Sequence, residues 1–375
     1  MPETITFLGL GLRLPNSQGV RVYKTEREND LMVLDSSWSY VTENFGHRGV
    51  TVFHVAAFVT GVLNFVLNAF MWFSFHANPR LLSKSHLYLF YAFAVTNSLT
   101  GFATIPTYVN LFLHNNLNCP RWTILIGSSF EIALEKIRAI LTLAIAGERM
   151  HAIYFPGDHY FMNHAQFAKW VSIVSVTWGI FDAAFLILED DIFMIRVHCV
   201  TTSSSGPLFH WYFLLSTIML GLCLSIFYII LICRLFVLKG YHAPLNRSVD
   251  KQARQQYRQI NSLAVLVILI VLIFSVLPCS LYLYDMILGK VVFMQWGPIV
   301  TIGYHFYGIL SFFFYNLKHR DIREALKQTY PSLYLLLNDK ADQKLVARIS
   351  SKLPSGPSIL RVELQTYSDE YDVQL

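Results

Sequence analysis

Long apolar segments recur along this chain, and they constrain its fold more than any other feature. Each holds at least about 20 predominantly apolar residues, enough for a helix rising about 1.5 Å per residue to cross about 30 Å of hydrocarbon. They cover residues 50–75, 86–113, 123–147, 167–187, 209–236, 260–286 and 291–315. Hydrophobic residues make up 54% of the chain and charged residues only 14%, an excess that one soluble core could not bury. The sequence therefore predicts an all-α membrane protein, a seven-transmembrane helix bundle.

The third segment is the least regular because it contains four ionisable side chains, Glu131, Glu135, Lys136 and Arg138. Without it, the count would be even and loops of opposite charge would lie on one side of the membrane, so we retain it as a span. Apart from Lys136, these side chains recur at intervals of three and four residues, and the series continues to Arg149. They therefore form one polar stripe that faces the interior of the bundle.

Ionisable groups inside a membrane cost several kcal/mol each unless they are paired or hydrated. One interpretation of the stripe is a ligand site, in which a bound molecule compensates Glu131. The other is a self-contained ion pair of Glu135 with Arg138, at i and i+3, that only fixes helix packing. Asp182 in the fourth segment lies at a depth comparable to Glu135 and is a candidate partner for Glu135 or Lys136.

Lysine and arginine are distributed unevenly over the connections between the segments. The connections 76–85, 148–169 and 237–259 contain nine of them, and the intervening connections contain three. Because basic residues accumulate in the loops that remain in the cytosol, we expect the amino terminus outside and the carboxy terminus in the cytosol.

Four regions follow from this topology. Residues 1–48 mix Pro, Ser, Asn and both charge signs without helical periodicity, and are expected to form a mostly flexible extracellular arm. Residues 49–316 form the seven-transmembrane bundle. In residues 317–330, apolar and basic side chains fall on opposite faces, which predicts a short amphipathic helix at the inner interface. Residues 331–375 are expected to be a disordered cytosolic tail that offers hydroxyl groups for phosphorylation.

The five cysteines differ in their location. Cys223, Cys233 and Cys279 lie in apolar segments, and only Cys119 and Cys199 lie in outward connections. One disulfide between these two would hold the second outer connection over the top of the third helix. The alternative is two unpaired or buried cysteines.

Seven helices, an outside amino terminus and a cysteine at the head of the third span resemble the rhodopsin-like architecture of G-protein-coupled receptors. The phrase "ERMHAIYFPGDHY", residues 148–160, resembles the end of the third helix in nematode serpentine chemoreceptors, most of all the class bc branch. The resemblance extends over about residues 50–330 and excludes both ends of the chain.

This resemblance implies a signalling role for the pair Glu148 and Arg149. The acid would hold the arginine while the bundle is closed and release it when the helices part, which opens a cavity for the carboxy-terminal helix of a G protein. The alternative is an interfacial arginine that reaches for lipid phosphates.

Two further positions resemble activation elements of such receptors. Pro278 lies inside the sixth span, where a proline removes one backbone hydrogen bond and creates a hinge, although the usual neighbouring tryptophan is absent. Tyr315 occupies the tyrosine position of an N-P-x-x-Y segment, in which Ser311 and Phe312 replace the asparagine and the proline.

The resemblance implies a chemosensory receptor of the plasma membrane, with sensory cilia as one location, that couples an external small molecule to a heterotrimeric G protein. The ligand would lie among the third, fifth, sixth and seventh helices, under a lid tied by Cys119 and Cys199. Its expected contacts are Glu131, Glu135, Arg138, Tyr304 and His305. No enzymatic activity, cofactor, metal or nucleic-acid partner is expected.

Other classes of membrane protein fit the residues less well. A retinal pump requires a lysine in the seventh span, and residues 291–315 contain none. His151, His159 and His164 do not have the spacing of desaturase metal boxes, and we interpret them as solvated loop residues. A transporter of a small polar solute and a non-signalling orphan receptor remain the alternative functions.

Overall fold

The computed structural model of the protein describes residues 5–7, 10–12, 49–84, 87–196, 198–241, 264–288, 292–293, 297–318 and 320–330. In this part of the chain, seven helices contain 20 residues or more, and each overlaps one of the seven predicted spans. The last of them begins at Ile299, later than the predicted start at residue 291. In chain order, the helices are α1 (Val52–Ala77), α2 (Pro79–Leu82), α3 (Tyr88–Leu113), α4 (Arg121–Tyr154), α5 (Pro156–Phe161), α6 (His164–Leu188), α7 (Thr201–Ser204), α8 (Pro207–Tyr241), α9 (Ala264–Leu288), α10 (Ile299–Lys318) and α11 (Arg320–Thr329). The predicted all-α bundle is confirmed.

Two pairs of short antiparallel strands accompany the helices. Strands β1 (Ile5–Phe7) and β2 (Leu10–Leu12) pair near the amino terminus, and β3 (Cys119–Pro120) pairs with β4 (Ile195–Arg196). The rest of the predicted amino-terminal arm lies outside the described residues, as do the third inner connection and the predicted tail.

By length and apolar composition alone, four of the described helices qualify to cross a membrane. They are α1, α6, α9 and the stretch Pro207–Val237 of α8. The apolar part of α10, Ile299–Phe314, is shorter. Helix α4 is not one of these four, although it contains 34 residues. The ionisable side chains of its stripe lower its mean hydropathy.

The bundle is apolar outside and polar inside. Phe130 of α4 and Ile180 of α6 are each 63% exposed, and a contiguous apolar surface of this kind is stable in contact with lipid. Inside, the amide Nδ2 of Asn64 donates to the carbonyl of Asn97 at 3.0 Å, and Nδ2 of Asn68 donates to Oδ1 of Asn64 at 2.9 Å. These side chains join α1 to α3 by hydrogen bonds that lipid cannot replace.

Helix α4 is longer than the sequence predicts. It continues past residue 147 to Tyr154, and its 34 residues span about 50 Å at 1.5 Å per residue. It ends where Pro156 follows, because a proline disfavours helical geometry in the preceding residue, and Phe155 has φ −132° and ψ 64°. Glu148 and Arg149 therefore lie on a helix rather than in a loop.

Helix α9 contains one turn of π-helix, Leu272–Val276, which ends two residues before Pro278. Proline lacks the N–H that would bond the carbonyl of Phe274 four residues earlier. The backbone of Gly303 on α10 lies against this carbonyl, since an added Cβ at Gly303 would be 2.2 Å from the oxygen of Phe274. Only glycine permits this approach, so α9 and α10 meet at the irregular turn.

The chain forms two compact units, Met1–Ala325 and Leu326–Leu375. All seven long helices belong to the first unit, in which Ile322 and Ala325 of α11 are buried. Of the second unit, the structure describes residues 326–330, where the N–H of Tyr330 donates to the carbonyl of Leu326 at 2.8 Å.

Candidate functional site

One end of the bundle, which we call the disulfide end, is covered by the connection between α6 and α8. The predicted disulfide between Cys119 and Cys199 is confirmed and fixes this connection to the start of α4. Strands β3 and β4 pair beside the bond, and Oδ1 of Asn116 accepts a hydrogen bond from the N–H of Cys199 at 2.9 Å. The described residues of this connection, 189–196 and 198–206, thus form a lid that is tied to α4.

The side chain of Arg121 is a second attachment of the lid, and it is fully buried. Its guanidinium donates to the backbone carbonyls of Ser204 (2.8 Å), Asp190 (2.5 Å), Ile187 (3.2 Å) and Leu186 (2.5 Å). Two of these carbonyls belong to the last turn of α6, where no helical N–H is left to satisfy them. Sequence reasoning missed this role and counted Arg121 only as a basic residue of an outward connection.

Glu189 attaches the lid to α8. Its carboxylate accepts hydrogen bonds from the N–H groups of Leu208 at 2.7 Å and Phe209 at 3.1 Å, in the first turn of that helix. Burial raises the pKa of the Glu189 carboxyl above its ordinary value, and the backbone donors act in the opposite direction. A carboxylate at a helix amino terminus also stabilises the helix dipole.

Two small cavities lie beneath the lid, each of about 50 Å³. They share Thr201 and Thr202 of the lid, Tyr282 of α9, and Val300 and Thr301 of α10. Pockets that bury a drug-sized molecule measure about 300–1,000 Å³, so this arrangement of the helices is closed to such a ligand.

Glu131 lines the one of these two cavities that we call the lower cavity, and it is only 3% exposed. Thr301 lines the same cavity, and the Oε2 atom of Glu131 has no hydrogen-bond partner among the described residues. Phe209 and Phe213 are among the apolar side chains around it. A buried carboxylate oxygen without a donor is costly, so this oxygen is a ready acceptor for a group that enters the cavity.

Arg138 and Glu135 form the ion pair that one interpretation of the stripe predicts. Nη1 of Arg138 also donates to the carbonyl of Tyr304 at 2.8 Å, and the guanidinium lies 4.6 Å from the ring centroid of Tyr307. Arg138 is therefore compensated within the protein. Both members of the pair line a third cavity of about 40 Å³ deeper in the bundle.

The two remaining predicted ligand contacts, Tyr304 and His305, do not lie at the same cavity. Tyr304 lines the lower cavity together with Glu131 and Glu135. His305 is fully buried away from the three described cavities, and its Nε2 lies 3.0 Å from Oγ1 of Thr104 on α3. Tyr304 and His305 are consecutive in α10 and point about 100° apart, and of the two only Tyr304 lines a described cavity.

Lys136 forms a separate buried cluster. Its Nζ lies 3.5 Å from Oδ2 of Asp182 and donates to Oγ of Ser216 at 2.5 Å. The hydroxyl of Tyr212 donates to Oδ1 of Asp182 at 2.7 Å. Of the two partners considered for Asp182, the structure selects Lys136, and the cluster joins α4, α6 and α8.

At the opposite end of the bundle, Glu148 and Arg149 have different partners. Oε1 of Glu148 lies 2.7 Å from Nδ1 of His164, the first residue of α6. The guanidinium of Arg149 lies over the ring of Phe90 on α3, 5.8 Å from its centroid. The expected direct pairing of Glu148 with Arg149 is not present among the described residues.

Three histidines gather beside Glu148, and their interpretation as solvated loop residues is wrong. His164 belongs to α6 and has a side chain only 15% exposed. The rings of His159 and His164 are 4.7 Å apart, and those of His151 and His159 are 6.0 Å apart. The sequence separations did not reveal this cluster because α5 folds back between α4 and α6.

Of the other two predicted signalling residues, Pro278 lies two residues after the π-helical turn of α9. Tyr315 lies in α10, and its side chain is outside the part of the chain that the structure describes.

Comparison with known proteins agrees with this architecture. No curated protein matches the chain. The family model described as serpentine type 7TM GPCR chemoreceptor Srbc matches residues 48–309, from the start of α1 into α10. The chain therefore belongs to the Srbc family of serpentine seven-transmembrane chemoreceptors.

Proposed function

We propose that this chemoreceptor binds an external small molecule beneath the lid and couples it to a heterotrimeric G protein at the opposite end of the bundle. The observation that carries the proposal is the carboxylate of Glu131, which is buried at a cavity under the lid with one oxygen that no described residue satisfies. A bound ligand would supply the missing donor.

The charge distribution and the disulfide support the orientation. Disulfides persist in oxidising compartments outside the cytosol, and the basic connections lie at the end opposite to Cys119 and Cys199. With this orientation the lid faces outward and Arg149 faces the cytosol, where a G protein is available.

The lower cavity favours a particular ligand chemistry. Its polar groups include the carboxylates of Glu131 and Glu135, and its walls include Phe209 and Phe213. These groups suit a small molecule that carries a cationic or hydrogen-bond-donating nitrogen on an apolar body. Because the cavity measures about 50 Å³, a larger ligand requires the lid and the upper ends of α9 and α10 to move apart.

The π-helical turn of α9 provides a place for such a movement. Pro278 and Gly303 meet at the carbonyl of Phe274, and the lower half of α9 lies on the far side of this irregular turn. Ligand binding would favour one packing of α9 over the other in proportion to its difference in affinity. An outward swing of the lower half would open space for a G protein at the end of the bundle where Arg149 lies.

Cells that express the receptor provide the test. A calcium readout is recorded against a panel of small amines and their neutral alcohol counterparts, with wild type, Glu131→Gln and the exposed control Asp191→Asn. We expect an amine to activate the wild type and the control, and Glu131→Gln to require at least about tenfold more ligand, since truncating a buried charge contact typically costs 2–5 kcal/mol.

Two outcomes would contradict the proposal. Equal amine responses of Glu131→Gln and wild type, at equal surface expression, would remove Glu131 from the ligand site. Accumulation of a labelled amine inside the cells without a G-protein signal would favour a transporter.

A further inference from the structure

We infer that Glu148, His159 and His164 form a Zn²⁺-binding site at the end of the bundle opposite to the lid. Each residue offers one ligand atom, and the three atoms lie within 4.8 Å of one another. They come from three helices, α4, α5 and α6, so that a bound ion would join the second inner connection to the bundle.

The distances are close to those that Zn²⁺ requires. Zn–N and Zn–O bonds of about 2.0–2.2 Å in a tetrahedral site place ligand atoms roughly 3.4 Å apart. Oε1 of Glu148 and Nδ1 of His164 are already 2.7 Å apart, and the rings of His159 and His164 have centroids 4.7 Å apart. Ligand atoms that lie within 4.8 Å of one another therefore have to approach by at most about 1.4 Å to reach this spacing.

The types of ligand atom at this site favour Zn²⁺ over other metal ions. Two imidazoles and one carboxylate suit Zn²⁺, whereas Ca²⁺ and Mg²⁺ prefer sites made of oxygen atoms. All three side chains are half-buried, which limits competition from bulk water while leaving access from the surface.

Three protein ligands leave the fourth position of a tetrahedral site to water. Structural zinc sites commonly have four protein ligands, and an open position is characteristic of sites at which exchange or chemistry occurs. The occupancy of this site would therefore follow the free Zn²⁺ concentration. Glu148 directly precedes Arg149, the residue proposed to contact the G protein. Zn²⁺ bound at this site would therefore be a second regulator of the receptor, in addition to the external ligand.

The test uses the full-length receptor purified in detergent, without ligand or G protein, so it does not depend on the proposed signalling function. Bound Zn²⁺ is measured by competition with a chromophoric chelator, and thermal unfolding is recorded with and without Zn²⁺. The variants are His159→Ala, His164→Ala and Glu148→Gln. His76→Ala is the control, because His76 lies at the end of α1 and contacts Tyr91 instead.

We expect one Zn²⁺ per chain and a thermal midpoint that rises with Zn²⁺ but not with Mg²⁺. Each of the three variants should lose at least tenfold in affinity, and His76→Ala should bind as the wild type does. His159 lies on the short surface helix α5, so His159→Ala keeps the test decisive if His164→Ala fails to fold. Absence of Zn²⁺ binding by the wild type, or unchanged binding by His159→Ala, would overturn the inference.

Discussion

The carboxylate of Glu148 lies 2.7 Å from Nδ1 of His164, so a histidine at the start of α6 holds the acid that precedes Arg149. The guanidinium of Arg149 lies over the ring of Phe90, 5.8 Å from its centroid. The described contacts at this end therefore join α4 to α3 and α6, and a direct pair of Glu148 with Arg149 is not among them.

Replacement of Arg149 tests this part of the site. Arg149→Ala should reduce the maximal G-protein response to an active amine at least about tenfold, because the buried contact of a hot-spot arginine is worth about 2 kcal/mol or more. Ligand affinity on membranes should change little. The control is Lys169→Ala, an exposed basic residue of α6. A full response of Arg149→Ala at equal surface expression would remove the residue from coupling.

Arg121 should be one of the side chains most sensitive to replacement in the molecule. Arg121→Lys keeps the charge but cannot donate to four carbonyls on the lid and α6. We expect a loss of roughly 2–3 kcal/mol in stability, as hydrogen bonds from charged groups contribute about 1.5–3 kcal/mol each. The thermal midpoint in detergent measures it. Arg196→Lys, at a partly exposed pair with Asp190, is the comparison and should change the midpoint less.

A methyl group at Gly303 tests the contact between α9 and α10. Gly303→Ala would place a carbon 2.2 Å from the carbonyl oxygen of Phe274, so the two helices must separate at the π-helical turn. We expect a lower thermal midpoint and an altered basal signal. Gly147→Ala on α4 is the matched control, because its added carbon meets nothing within 4 Å. Equal midpoints for the two variants would show that the close approach is not required.

The buried cluster of Lys136 and Asp182 predicts a non-additive pair of substitutions. Asp182→Asn leaves the ammonium of Lys136 without a counter-charge and should destabilise the receptor by about 3–5 kcal/mol. The double replacement Lys136→Met with Asp182→Leu should recover much of this loss, since an apolar pair needs no desolvated charges. Additive losses in the thermal midpoint would show that the two side chains do not interact.

The positions of the long helices could be read from the sequence because apolar runs long enough to span a bilayer have few alternative structures. The end of α4 could not, because the polar residues after Gly147 suggest a loop while their backbone continues as helix to Tyr154. The Cys119–Cys199 bond was predictable from location alone.

The details of the candidate sites depended on contacts between distant segments. The partners of Arg121 are backbone carbonyls, which every residue has, so the sequence pattern could not identify them. His164 and Glu148 meet only because α5 reverses the chain between them. The depth of Asp182 identified it as a candidate partner, but the choice of Lys136 over Glu135 depends on how α4 and α6 are rotated about their axes.

The orientation of the chain in the membrane is tested most directly by epitope tags at its two ends. The measurement is antibody binding to intact and to permeabilised cells. We predict that the amino-terminal tag is labelled on intact cells and that the carboxy-terminal tag is labelled only after permeabilisation. Labelling of both tags on intact cells, or of the carboxy-terminal tag alone, would contradict an outward lid and an inward Arg149.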